Sequence, residues 1–254
     1  MISQHSYFQQ CLPALQQLHN MNFTKEQLLQ KDFLIGQEKE LSMYYSPHND
    51  YINPDAHIVI AGITPGWFQM KTAFKQCISS LSHHHHQLEQ VLYETKKAAS
   101  FSGTMRVNLI HMLDRCGVQK AIGMDSAAEL FASQRDLLHT TSVLKYPVFY
   151  KGKNYTGHQP PIERSVLLSR YAFEVLPQEL NEIKNPCLIV PLGKAVENVL
   201  RKLSSESSLS RHTYLFGFPH PSGANGHRKR IFEEHLGEFT EIVEDWAAKR
   251  KSRK

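Results

Sequence analysis

The stretch His57-Ile58-Val59-Ile60-Ala61-Gly62-Ile63-Thr64-Pro65-Gly66-Trp67-Phe68-Gln69-Met70 decides the fold. Its opening run, His57 to Ala61, is rich in β-branched residues and does not alternate with polar ones. That pattern predicts a strand covered on both faces. Gly62 to Gly66 then sets two glycines and a proline in a turn, where a backbone can approach a ligand closely. Open α/β sheets bind ligands beyond the carboxyl ends of their strands, so a site is expected here. An ordinary strand-to-helix turn has the same composition and stays open as the structural alternative.

Outward from this stretch, strands and helices alternate. Lys71–Leu81 and Gly103–Gly117 carry helical spacing, and Asp136–Leu144 is the second strand candidate. A long loop, Tyr150–Pro161, leads to a helix over Glu163–Leu176. Cys187–Val190 is a third buried strand, and Pro191-Leu192-Gly193 turns into a helix over Lys194–Leu203. His212–Phe218 is the fourth strand, and an amphipathic helix over Ile231–Lys249 closes the chain. Upstream, His5–Met21 has a helical stripe containing Pro13, Thr24–Gln27 reads as a capping box, and Tyr44–Asp55 is a loop. Alternation of this kind predicts βαβ units with right-handed crossovers. The expected fold is therefore a three-layer α/β/α sandwich on a central four-stranded parallel sheet. It is read as one domain over residues 1–254, with a helical layer at 1–50 and a basic tail at 249–254.

Composition narrows the class. At 254 residues, 41% hydrophobic and 21% charged, the chain suits a globular protein rather than a disordered one. No apolar run approaches the ~20 residues that span a bilayer, and the Gln-rich start lacks a signal-peptide pattern. A cytoplasmic protein with no membrane partner is expected. Cys11, Cys77, Cys116 and Cys187 are far apart, which predicts buried free thiols rather than a metal cluster or disulfides. His83-His84-His85-His86 is read as a polar exposed segment; neighbouring helical residues diverge, so one face collects two imidazoles at most. The net charge of +5 is mild, but Arg228-Lys229-Arg230 and the C-terminal tail concentrate it, which suits a polyanion.

Taken in order, the motifs resemble the uracil-DNA glycosylase superfamily. Gly62-Ile63-Thr64-Pro65-Gly66 is similar to its first motif, and Trp67-Phe68-Gln69-Met70 is similar to its single-strand-selective members. His220-Pro221-Ser222, after the last strand, resembles the second motif. Between them, Thr141-Ser142-Val143-Leu144-Lys145 resembles the strand that ends in a base-reading asparagine, and Val190–Gly193 resembles the third strand's turn. The likeness runs from Ile58 to Phe232. Two positions depart from it: Thr64 stands where Asp or Asn usually holds the attacking water, and Ser142 stands where Asn usually reads uracil. The cysteine pattern of the iron–sulfur branches is missing.

The resemblance implies a monofunctional DNA N-glycosylase that acts as a monomer without a cofactor or metal. It would flip a pyrimidine nucleotide and hydrolyse its glycosidic bond. Donors facing the departing base and a placed water lower that barrier. His220 is the expected donor to the pyrimidine O2, and Thr64 the expected water ligand, although a hydroxyl there also suits a bond within the turn. Ile63, Pro65, Gly66, Trp67, Phe68 and Ser142 are the expected base pocket, with Phe68 stacking on the base. Pro221, Ser222, Gly223, Asn225, Arg228, Lys229 and Lys145 are the expected DNA contacts. The small Ser142 suggests a modified or bulky pyrimidine in preference to plain uracil, in DNA repair or antiviral defence. For a modified cytosine, a poor leaving group, a protonated His220 is expected to matter more. The alternatives are a reader of modified DNA that has lost hydrolysis, an ordinary uracil-DNA repair glycosylase, and a nucleotide-handling α/β enzyme unrelated to DNA.

Overall fold

A computed structural model describes residues 1–18, 22–84, 87–101, 103–206 and 208–252. In chain order its elements are α1 (Phe8–Gln16), α2 (Lys25–Leu28), β1 (Leu34–Glu38), β2 (Leu41–Tyr44), β3 (Ile58–Gly62), α3 (Trp67–His83), α4 (Leu88–Ala99), α5 (Thr104–Arg115) and α6 (Val118–Ile122). There follow β4 (Leu138–Ser142), β5 (Val148–Tyr150), β6 (Lys153–Asn154), α7 (Val166–Arg170), α8 (Leu176–Asn181), β7 (Leu188–Pro191), α9 (Lys194–Leu203), β8 (Thr213–Tyr214) and α10 (Arg228–Lys251). They form two compact units. The first takes Met1–Ile52, Ile63–Ser100 and Ser142–Glu182; the second takes Asn53–Gly62, Phe101–Thr141 and Ile183–Lys254.

The second unit is built on the parallel sheet, with strand order β4-β3-β7-β8. In order of appearance along the chain that is 2-1-3-4. Ile58 pairs with Leu188 and Ala61 with Pro191 in parallel register, and Leu188 pairs with Thr213. Every residue of β3 and β7 is buried, as their unbroken apolar runs require. Ile58, Ile60, Leu188 and Val190 pack with Leu109 and Leu113 of α5 and with Phe232, Phe239 and Trp246 of α10. The fourth strand is shorter than its sequence suggests. Leu215 still donates to Ile189 O, but Gly217 at φ +93° turns the chain away.

The first unit holds an antiparallel sheet, β1-β2-β5-β6, absent from the sequence reading. The first fifty residues are thus not a purely helical layer, since β1 and β2 form a hairpin whose second strand pairs with β5. β5 and β6 likewise replace the start of the expected 150–161 loop. Gly66 is the N-cap of α3, and its N–H donates to Gln69 Oε1 at 3.2 Å. Met70, Ala73, Phe74 and Cys77 form its buried stripe. Phe74 receives Phe33 edge-on at 4.9 Å and Phe23 at 6.3 Å. All four cysteines are free and buried, as expected. Among the described residues no helix is long and apolar enough to cross a membrane.

Candidate active site

In the second unit, the carboxyl ends of β3 and β7 are tied to the loop after β8. Leu192 N–H donates to Ala61 O at 2.9 Å, and Gly193 N–H donates to Phe218 O at 3.0 Å. Gly193 sits at φ +89°, and a Cβ built there would lie 3.2 Å from His220 Cβ. Only glycine meets both demands, so the Leu192-Gly193 turn fixes where His220 stands.

His220 is held by its own loop. Ser222 N–H donates to His220 Nδ1 at 3.2 Å. That bond requires an unprotonated Nδ1, so the neutral ring carries its proton on Nε2 as a donor. Burial lowers the imidazole pKa and favours the same neutral form. The protonated ring expected for a modified-cytosine substrate is therefore disfavoured. The burial removes the water that would solvate an imidazolium, and the Ser222 amide opposes a second ring proton.

The rest of the loop is braced. Asn225 Nδ2 donates to His220 O at 3.2 Å, its Oδ1 accepts from His227 N–H, and Ser222 Oγ accepts from Ala224 N–H. Asn225 thus closes the loop. Arg228 donates to Pro221 O and Ser222 O, at 3.2 and 2.7 Å, and Asn108 of α5 donates to Pro221 O at 2.9 Å. Pro221 is buried, whereas Gly223 and Lys229 are exposed. A groove of about 620 Å³ runs past His220 beside Lys194, Arg201, Phe216 and Asn225.

Sequence reasoning missed Glu197, which organises this loop from α9. Its side chain is 5% exposed and accepts from Arg201 Nε at 2.7 Å and from Lys194 Nζ at 3.0 Å. It also accepts from Gly217 N–H at 3.1 Å. Burial alone would raise its pKa, but Arg201, Lys194 and the Gly217 amide together hold it below the usual carboxylate value. The only sequence signal is the Lys-x-x-Glu-x-x-x-Arg spacing at 194, 197 and 201, which puts all three on one helix face.

In the first unit, the Ile63–Gly66 part of the turn delivers Thr64, whose hydroxyl is already committed. It donates to Tyr146 O at 2.9 Å and accepts from Val148 N–H at 3.0 Å. This is the structural bond, formed with the start of β5 and the residues just before it rather than within the turn, and it leaves one lone pair for a water. Ile63 O accepts from Leu144 N–H at 2.9 Å, and Pro65 is buried. Trp67 N–H reaches Asn154 Oδ1 at 3.3 Å, with the ring partly covered. Phe68 is 65% exposed on the first turn of α3, so no core claims its ring. Ser142, the last residue of β4, is 8% exposed.

Lys145 does not serve as a phosphate contact. It is 1% exposed, lies 3.7 Å from Asp50 Oδ1 and donates to Ser3 Oγ. Tyr146 and Ser6 also donate to Asp50, and Asn49 donates to Lys145 O at 2.7 Å. An ammonium enclosed in this way neutralises an internal carboxylate and has no face for a polyanion. The loop read at Tyr44–Asp55 supplies this network, which composition alone did not reveal. Of the histidine run, His83 donates to Ser79 O and His84 pairs with Glu94 at 3.3 Å. His85 and His86 lie outside the described residues, as do Arg253 and Lys254 of the basic tail. Among the described residues, no three His, Cys, Asp or Glu side chains form a metal-binding group.

The family model described as Uracil DNA glycosylase superfamily matches residues 49–247. A protein of Bacillus subtilis (strain 168), described as uncharacterized protein YoxB, is 52% identical over 227 residues, covering 89% of this chain and 88% of its own. No solved structure matches the chain.

Proposed function

The chain belongs to the uracil-DNA glycosylase superfamily, and from that premise we propose that it flips a pyrimidine nucleotide out of DNA and hydrolyses its N-glycosidic bond. The observation that carries the proposal is the Ser222 N–H bond to His220 Nδ1. It fixes the tautomer whose Nε2–H can donate to a base oxygen. As the sugar–base bond breaks, negative charge grows on the base, and a preorganised neutral donor in a partly desolvated site stabilises it. A neutral imidazole is also the weaker acid, so it shares its proton without surrendering it. Phe68, solvent-exposed and aromatic, is proposed to stack on the flipped base, a contact worth about 1–3 kcal/mol. Ser222, the amides near Gly223, Lys229 and Arg228 are proposed to hold phosphates. Arg228 does so while also bracing the loop.

The proposed substrate is a modified or bulky pyrimidine in preference to plain uracil, because serine at 142 is smaller than asparagine and lacks its paired donor and acceptor. A ring held neutral suits a leaving group that tolerates negative charge, and so favours a 5-modified uracil over a modified cytosine. The test uses oligonucleotides carrying uracil, 5-hydroxymethyluracil or glucosylated 5-hydroxymethylcytosine, single- and double-stranded, with alkali cleavage reporting abasic sites. Product from 5-hydroxymethyluracil above that from uracil supports the assignment. Strong activity on uracil alone removes the modified-base preference.

One observation favours a second function, a non-catalytic reader of modified DNA. The first-motif turn offers no carboxylate, and its Thr64 hydroxyl is engaged on both sides. Salt-sensitive binding without abasic product from any oligonucleotide would establish the reader.

A further inference from the structure

We propose that the second unit holds a separate ligand site, a cationic pocket at the amino ends of the sheet strands that takes a small carboxylate of about benzoate size. The pocket encloses about 130 Å³, and its walls include Pro186 before β7, Arg211 and Thr213 at β8, and Trp246, Lys249 and Arg250 near the end of α10. It lies at the strand ends opposite to those that carry Gly193 and His220, so it belongs to neither the groove nor the loop described above.

Charge is the first argument. Three cationic side chains line the pocket and no acidic one does. Arg211 is fixed in place by donating to Lys184 O and Ile183 O. Lys249 is exposed and makes no ion pair among the described residues. Like charges gathered around a partly apolar cavity repel one another, and an anion relieves that cost. The local field is also felt by neighbouring groups, since burial and then the Arg211 charge lower the His212 pKa to about 4.

Unmatched donors are the second argument. Trp246 is 3% exposed, and its buried indole N–H has no hydrogen-bond partner among the described residues. The Arg250 Nε–H is also buried without a partner, with its guanidinium 6.0 Å from the Trp246 ring centroid. Buried donors are nearly always matched, so a pair of them beside one cavity points to a missing acceptor. Size and lining set its class. The pocket's volume of about 130 Å³ is slightly less than the roughly 150 Å³ of an enclosed cavity that holds benzene. Because this pocket is open on one side, a single ring with one carboxylate is the upper limit, and the indole and the proline give it an apolar wall. A nucleic-acid phosphodiester with its sugars is too large to enter.

The experiment follows Trp246 fluorescence in a Trp67→Phe background, where it is the sole tryptophan. Benzoate, the neutral isostere benzamide and inorganic phosphate are titrated at constant ionic strength. Saturable quenching by benzoate is expected, weaker by about tenfold or more for benzamide and in Lys249→Glu, the size expected for a partly desolvated charged contact. Lys249 is exposed, so that variant retains the fold, and Arg250→Gln is expected to weaken binding in the same direction. No saturable response to benzoate, an equal response to benzamide, or unchanged affinity in both variants would overturn the site. Tighter binding of phosphate than of benzoate would overturn the assigned ligand class. None of these readouts depends on glycosylase activity.

Discussion

At the scale of single residues, two of the proposed site residues, one from each unit, have opposite characters. His220 has a fixed tautomer and an Nε2–H with no partner among the described residues, whereas Thr64 has a hydroxyl already in use. His220→Ala should lower kcat by about 10²- to 10⁴-fold, the usual contribution of a positioned proton donor, with DNA affinity changed far less. Because burial lowers the ring's pKa, the neutral form proposed to act persists to lower pH than in an exposed histidine. The rate attributable to His220 should therefore decline on acidification with a midpoint below the ordinary histidine value of about 6.5. A rate that rises as pH falls from 7 to 6 would mean that an imidazolium does the work. For Thr64→Val, loss of both bonds should cost about 1–3 kcal/mol, seen as a lower urea midpoint, and Thr64→Ser should restore most of it. Full stability with abolished turnover would return Thr64 to the role of water ligand. His220 was legible because the Pro-His-Pro-Ser context after a strand constrains it. Lys145 was not, since Leu-Lys-Tyr-Pro looks like a surface exit from a strand, and its partner Asp50 lies far upstream in a segment read as loop.

At the scale of elements, α9 and the turn before it set the position of the His220 loop. Gly193→Ala combines a left-handed φ with a Cβ 3.2 Å from His220 Cβ. It should cost about 1–2 kcal/mol in stability. It should also lower kcat by more than that loss of folded protein explains, because the new methyl pushes on the Cβ that carries the imidazole. Equal losses in stability and rate would make Gly193 merely structural. Glu197→Gln keeps the shape but weakens three charge-assisted bonds, and should loosen the loop without touching His220. The measurable sign is faster amide exchange at Gly217 with β7 unchanged. α9 was legible to the residue, as its apolar positions and preceding glycine are strong signals. β3 and β7 were legible because buried parallel strands need uninterrupted apolar runs. β1 and β2 were not. Leu34-Ile35-Gly36-Gln37-Glu38 is short and contains glycine, and pairing with β2 and β5, rather than its own pattern, makes the sheet. α4 escaped notice because its buried stripe, Val91, Leu92, Thr95 and Ala99, follows a histidine run and includes few strongly apolar residues.

At the scale of the whole molecule, buried histidines make stability depend on pH in a way that can be read separately in each unit. Burial lowers the pKa of His48, in the first unit, to about 3 and that of His212, in the second, to about 4. In an unfolded chain each would take up a proton near pH 6.5. Between that value and the folded pKa the unfolded chain binds more protons, so stability falls as pH falls. Above pH 6.5 the contribution is complete and level. Each ring can supply a slope of up to about 1.4 kcal/mol per pH unit within its window. Asp50, raised chiefly by burial, acts in the opposite sense in the first unit, because its folded form takes up a proton at higher pH than its unfolded one. The second unit should therefore lose stability more steeply than the first between pH 6.5 and 4.5. Trp67 reports on the first unit and Trp246 on the second, so single-tryptophan variants unfolded in urea at a series of pH values separate the two slopes. His212→Gln should flatten only the Trp246 slope. A Trp246 midpoint that is constant or rises on acidification to pH 5 would show that His212 is not held neutral by the fold.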